Sequence, residues 1–381
     1  MASPADERPC PDPPAGRLAE LYYFQWCEFK LRLPLVSALA VAACLFAGIL
    51  AGHPAAGLIA GGGAFTVGFG PNQKISDSRV IPMIAAVFAT SSAAFAGTVA
   101  GHHDYWLLIA AAGAAAIYGV LSTRNAGVAW VGQQAFVFMI VASAFPSALR
   151  GGLERGGLVA AGGAVQLLFT SAALRMMPGL RKDFFALASS VFNSVYEEDW
   201  AIAQRLRRLP GLLPTLTRHE AFAYSLRLLL TAVAATEVYR RLGMQSGYWI
   251  PMTALLVQRP GAGDTVVRAT SRIIGTMAGA WLGSLFLAHV IPRPEVIAVL
   301  TAIFALLAYA TNAVNYALFT ANLTAYIVFL LSLNVIPGSV LAHRRMGCTA
   351  LGGLIAVLFH ADALLRLRRS EPREQPEERA A

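Results

Sequence analysis

The chain has 381 residues, of which 56% are hydrophobic and only 13% charged, and its formal net charge is +9. Soluble domains carry about 25% charged residues; here the charge is confined to short punctuation between apolar stretches long enough to cross a hydrocarbon core of about 30 Å. That excludes a soluble fold. The basic residues form no aromatic-interleaved patch, so nucleic acid is not an expected partner, and the lipid bilayer is.

Taken in chain order, residues 1–30 mix Pro, Asp, Glu and Arg and read as a disordered cytoplasmic tail without the apolar core of a signal peptide. Six apolar segments follow at about 33–51, 55–70, 80–101, 105–121, 126–145 and 157–174, and they make a first membrane block over 31–176. The second segment is short, carries Gly61-Gly62-Gly63 and is closed by Pro71. From 177 to 218 the chain turns charged, while Phe184, Leu187, Val191, Phe192 and Val195 recur at helical spacing. This predicts a short amphipathic cytoplasmic linker helix. Six further segments at about 221–238, 246–257, 266–290, 296–310, 313–333 and 346–365 make a second block over 219–365, and 366–381 is a second disordered tail. Cys10, Cys27, Cys44 and Cys348 have the spacing of neither a metal site nor a disulfide framework. The fold class expected is therefore an all-α membrane protein of about twelve transmembrane helices. An even number of spans puts both termini on one side, and the bias of Lys and Arg toward alternate loops makes that side the cytoplasm.

The two blocks carry an internal repeat. Leu31-Arg32-Leu33 recurs as Leu226-Arg227-Leu228, and Ser78-Arg79-Val80-Ile81 as Ser271-Arg272-Ile273-Ile274. Arg155, Gly162-Gly163 and Leu168-Phe169 line up without a gap on Arg345, Gly352-Gly353 and Leu358-Phe359. Six spans per block give both the same orientation, so the expected architecture is two parallel six-helix repeats with a pathway between them.

Charge near or inside an apolar segment is costly and needs a partner or a water-filled cavity. Arg79 and Arg272 fall at equivalent starts of the third and ninth segments, and Arg32 and Arg227 at those of the first and seventh. Two symmetric pairs of guanidinium groups could ring a pathway and bind carboxylates by charge and bidentate hydrogen bonds; the competing reading is ordinary snorkelling at helix ends. The short, Gly/Pro-broken second and eighth segments occupy matching positions, where a transporter site is expected. Trp249 and Tyr248 could stack on an aromatic substrate or anchor the interface. Gln133 and Asn322 could hydrogen-bond a substrate or another helix. Glu237 is a candidate coupling carboxylate, although Arg240 and Arg241 at i+3 and i+4 also suit a helix-end ion pair.

The run Tyr248-Trp249-Ile250-Pro251-Met252-Thr253, followed by Arg268, Arg272-Ile273-Ile274-Gly275-Thr276 and Gly279, resembles the second-half motif of the fusaric acid resistance protein-like family, which includes aromatic acid exporters. In that motif a Trp-x-Pro helix end leads through a short basic loop into an Arg-x-x-Gly-Thr helix. Residues 316–324 and Arg345 with Gly352-Gly353 are similar to the family pattern as well, and the resemblance extends over about 25–365. The first-half counterpart, Ala56 to Met83, lacks both the Trp and the Gly-Thr. The resemblance implies a multi-pass protein of the bacterial plasma (inner) membrane that exports small organic, above all aromatic, anions. Plant aluminium-activated malate channels are similar six-helix proteins that pair as dimers; one chain here would equal one such dimer, and a homo-oligomer stays open.

No His-Glu-x-x-His, Gly-x-Ser-x-Gly or Walker A run occurs. An enzyme, catalytic residues, a metal and a cofactor are therefore not expected, and active transport would draw on an ion gradient. A passive anion channel and a non-transporting scaffold remain the alternatives.

Overall fold

The computed structural model describes residues 19–73, 75, 78–122, 125–176, 219–244, 246–289, 293–333 and 338–360. The expected linker helix and most of both expected tails lie outside them. Among the described residues the chain is helical, with a single isolated bridge between Ile75 and Ser78. Six helices of more than one turn come before the stretch 177–218: α1 (Arg32–Leu50), α2 (Pro54–Val67), α3 (Ile81–Ala100), α4 (Asp104–Ser122), α5 (Ala126–Ser143) and α6 (Leu149–Met176). Six follow it: α7 (His219–Leu242), α8 (Trp249–Val257), α9 (Ala262–His289), α10 (Pro294–Thr311), α11 (Tyr316–Ser332) and α12 (Gly338–Leu358).

The boundaries have local causes. Pro occupies the first turn of α2, α3 and α10, where its missing N–H costs nothing. Asn125 caps α5 by accepting from the Gly127 N–H at 2.7 Å, and Asn315 caps α11 by accepting from Ala317 and Leu318 at 2.9 and 3.1 Å. Gly52 and Gly243 turn the chain after α1 and α7 at φ 73° and 55°, backbone that glycine adopts without strain.

Seven helices (α1, α3, α4, α5, α6, α9 and α10) are long and apolar enough to cross a membrane, and α11 is a shorter apolar helix. With 14 and 9 residues, α2 and α8 rise only about 21 and 14 Å, short of a hydrocarbon core of about 30 Å. Neither is long enough to cross alone as a helix, and non-helical chain at membrane depth is tolerated only where it is buried or lines a cavity.

Helix α3 packs on α5 and α6, α2 on α1 and α6, and α4 on α5; likewise α9 packs on α11 and α12, α8 on α7 and α12, and α10 on α11. The sets meet chiefly where α4 lies on α7 and α1 on α10, and α5 also touches α8. The first seam buries Leu107, Ala111 and Tyr118 with Tyr224, Leu228 and Ala232. The second buries Val41, Cys44 and Phe65 with Phe304, Ala308 and Tyr309, and the Tyr309 hydroxyl donates to the Phe65 carbonyl at 2.7 Å. Small residues allow close approach where lipid supplies no hydrophobic drive: Gly97 and Gly101 of α3 abut the Met139 and Ser143 carbonyls, as Gly275 and Gly279 of α9 abut those of Ala317 and Ala321.

Two local findings depart from the sequence reading. Residues 19–30, which fall within the expected tail, form a helical turn at Ala19–Tyr22 and a 3-10 turn at Trp26–Glu28. Their backbone is tied to the α10–α11 connection: Gln25 N–H donates to Val314 O and Asn315 Nδ2 to Tyr23 O, each at 3.0 Å. Cys27 is disulfide-bonded, against the expectation from spacing, while Cys44 and Cys348 are buried free thiols.

Candidate functional site

Between the two seams lies a cavity of about 950 Å³. Both helix sets contribute to it, through α2, α5 and α6 on one side and α8, α9 and α11 on the other. The short helices α2 and α8 both reach its wall, through Ala55, Leu58, Ile59, Gly62, Phe65 and Thr66 and through Trp249, Met252 and Leu256. Because α8 stops at Val257, the chain from Gln258 to Gly261 runs non-helically into α9, and Arg259 and Pro260 of this break also face the cavity. The break is anchored by Thr265, whose hydroxyl accepts from the Arg259 N–H at 2.9 Å, and by buried His360, whose Nε2 lies 3.0 Å from the Arg259 carbonyl.

Apart from its cations, the wall is mainly apolar and aromatic. Arg155, Arg259, Arg268 and Arg272 reach it, and among its described residues there is no Asp or Glu. Arg272 is only 3% exposed; its Nη1 donates to the Tyr316 hydroxyl at 3.1 Å and its Nε has no hydrogen-bond partner. The guanidinium of Arg268 lies 3.8 Å from the centroid of the same Tyr316 ring. One tyrosine thus stations two cations at the cavity, by hydrogen bond and by ring face. Arg155 is held differently: Nη1 donates to Thr98 Oγ1 at 2.9 Å and to the Phe145 carbonyl at 2.6 Å, at the end of α5 where unpaired carbonyls favour a cation. Such a wall can attract an anion, strip part of its water and stack on a ring.

Of the residues singled out from the sequence, Arg272, Trp249, Tyr248 and Gln133 stand together on this wall. Tyr248 and Trp249 are buried with ring centroids 5.1 Å apart, and Gln133 Nε2 donates to the Tyr118 hydroxyl at 3.3 Å. The other four do not reach the wall. Arg79 is exposed and precedes α3, whereas α9 begins at Ala262 and so carries Arg272 about three turns inside; the earlier helix start separates the two members of the pair. Arg32 is exposed at the first position of α1, and Arg227 is half-buried on α7. Asn322 is buried and donates to Thr311 Oγ1 at 3.2 Å and to Leu318 O at 3.1 Å.

Glu237 is also off the wall. It pairs with Arg240 at 2.6 Å and Arg241 at 2.7 Å, and Arg240 continues to Asp104 of α4 at 2.8 Å, across the first seam. Glu237 sits away from the cavity with both carboxylate oxygens in ion pairs, so Glu237→Gln is expected to leave anion flux within about twofold of the parent protein. Flux across a pH series checks this; a lost pH response would make Glu237 the coupling group.

The sequence reading passed over Arg155, Arg259, Arg268, Arg345 and Tyr316. Arg155 and Arg345 stand in the sequence as a repeat-matched pair just outside the apolar runs, because α6 and α12 start earlier than those runs.

The matches to known proteins cover parts of the chain. The uncharacterized protein YhfK of Escherichia coli (strain K12) is 31% identical over 160 residues, 41% of this chain and 23% of that protein. The inner membrane protein YccS of the same organism is 34% identical over 136 residues, 35% of this chain and 18% of YccS. The uncharacterized protein ORF2 of Neisseria gonorrhoeae is 39% identical over 64 residues, 17% of this chain and 15% of ORF2. The chain therefore spans less than a quarter of the length of each of these relatives. No solved structure matches it. The break after α8, the cationic face of α9 and the glycine pair of α12 all fall within residues 231–359, which match the fusaric acid resistance protein-like family.

Proposed function

We propose that the chain is a membrane transporter that exports small organic anions, aromatic ones foremost, through the cavity between its two helix sets. In this reading the two sets are parallel six-helix repeats, each helix or broken helix a crossing of the inner membrane, with both termini in the cytoplasm. The correspondence of helix contacts across the sets supports the repeat, and the similarity to the inner membrane protein YccS supports the membrane.

The observation that carries the proposal is the wall itself: four arginines among aromatic side chains, with no carboxylate among its described residues. Guanidinium groups in a low-dielectric setting are costly to desolvate, and an arriving carboxylate relieves that cost. Pockets that enclose a small molecule run from about 300 to 1,000 Å³, so a cavity of about 950 Å³ admits a substituted benzoate with some water. The test is efflux of 4-hydroxybenzoate from proteoliposomes. Saturable efflux that 4-hydroxybenzamide does not share is expected; absence of flux across a panel of aromatic acids sinks the reading.

An ion gradient is the proposed driving force. One observation favours a passive channel instead: no wall carboxylate is in place to carry a proton, and Glu237 is held in ion pairs. Efflux that accelerates under an imposed pH gradient supports coupled export, and efflux that follows only the anion's own gradient and the membrane potential supports the channel.

A further inference from the structure

Arg345 is 1% exposed, and its Nε and Nη1 have no hydrogen-bond partner. Its guanidinium carbon lies 3.9 Å from the centroid of the Trp249 ring. Trp249 belongs to the cavity wall, beside Tyr248, and Arg345 lies behind it. A guanidinium buried in a membrane protein is expected to meet a carboxylate or carbonyl oxygens. The face of an indole compensates a cation only in part.

The repeat partner shows what a satisfied arginine looks like at this place. Arg155 stands at the matching position of α6 and gives its hydrogen bonds to Thr98, Ala142 and Phe145. Ile59 occupies the first-half position that corresponds to Trp249, counting from the matched contacts of Gly162 on Ala60 and Gly352 on Ile250. One half therefore has an aliphatic side chain and an arginine bound by its own backbone. The other has an indole over an arginine with unmet donors, on the same wall as Arg272.

We propose that Arg345 and Trp249 form a subsite for the carboxylate of an aromatic anion in the second half only, with the indole as its cover. Without substrate the ring shields the guanidinium from the cavity. When the anion enters, the indole turns aside, the carboxylate accepts from Nε and Nη1, and the indole face stacks on the substrate ring. The subsite rests on the export reading above, and it makes the two halves unequal: Arg155 of the first is bound within its own half, and Arg345 of the second has donors left to give.

Isothermal titration of the purified full chain with benzoate, benzamide and acetate tests this. Benzoate and benzamide share shape and differ in charge. Arg345→Gln is expected to weaken benzoate binding by a factor on the order of 30 or more, as for a desolvated charge pair, with benzamide unchanged; Arg345→Lys should recover part of the loss. Trp249→Leu should remove the preference of benzoate over acetate while leaving that over benzamide. If the parent protein binds benzoate no better than benzamide, the export reading fails and the subsite with it. If it prefers benzoate and neither variant alters either preference, the subsite alone is overturned. Should Arg345→Gln fail to give monodisperse protein, Trp249→Leu decides: an unchanged benzoate-over-acetate preference overturns the subsite.

Discussion

Proteoliposomes carrying Arg272→Ala should lose aromatic-anion flux by tens- to thousands-fold, the equivalent of about 2–5 kcal/mol for one partner of a desolvated charge pair, while Arg79→Ala should change it little. The contrast follows from placement. Arg79 is exposed, and a solvated charge contributes little to binding. Arg272 is buried on the cavity wall, holds one hydrogen bond to Tyr316 and leaves Nε unmet. With no carboxylate among the described wall residues, a bound carboxylate would balance its charge, and an empty cavity leaves it with the desolvation cost. That asymmetry gives a second readout. Removing a poorly compensated buried charge should hold or raise the unfolding temperature of the empty protein, as is common where function keeps a strained group. Lower stability with proportionally lower flux would make Arg272 a structural residue, and unchanged flux would remove it from the pathway. Arg272→Lys should fall between, since it keeps the charge but loses the planar fork that matches a carboxylate.

Much of the helical frame was legible because the bilayer sets a length that apolar runs must meet. The first, third, fourth and fifth segments end within a few residues of α1, α3, α4 and α5. The short second and eighth segments emerge as α2 and α8, both on the cavity wall. What was not legible is which face of each helix looks inward. In a soluble protein a polar stripe marks the outside, but lipid is as apolar as a core. Leu168 on α6 and Phe136 on α5 are equally apolar in sequence, yet one is 70% exposed and the other fully buried. For the same reason the four wall arginines could not be separated from snorkelling ones. Arg268 sits within the quoted motif and differs from Arg227 in nothing that composition registers. The position of Tyr316 under Arg268 and Arg272 depends on α9 lying against α11, a tertiary contact. Apolar length also misplaced the starts of α6 and α12, which run through Arg155 and Arg345 into their polar ends.

The glycine pairs offer an internal control on how the halves are packed, and the outcome should be as large as that for Arg272. A methyl group on Gly162 would drive into the Ala60 carbonyl of α2, and one on Gly352 would stand 2.5 Å from the Ile250 carbonyl of α8. In both cases the obstacle is backbone, which cannot rotate away, so Gly162→Leu and Gly352→Leu must push α6 from α2 and α12 from α8. Overpacking costs about 1–3 kcal/mol even where side chains can adjust, and more where they cannot. If α2 and α8 cross the membrane as proposed, separating them from α6 and α12 also exposes non-helical backbone to hydrocarbon, where each unsatisfied group is costly. Either variant is therefore expected to give little monodisperse protein on size-exclusion chromatography. Five residues earlier on the same two helices, Gly157 and Gly347 have nothing within 4 Å of an added methyl group. There alanine should be tolerated, or should stabilise by about 0.5–1 kcal/mol through the gain in helix propensity. Folded Gly162→Leu and Gly352→Leu proteins with parent-like unfolding temperatures would mean that α2 and α8 are not held as described, and the cavity they frame would lose its walls.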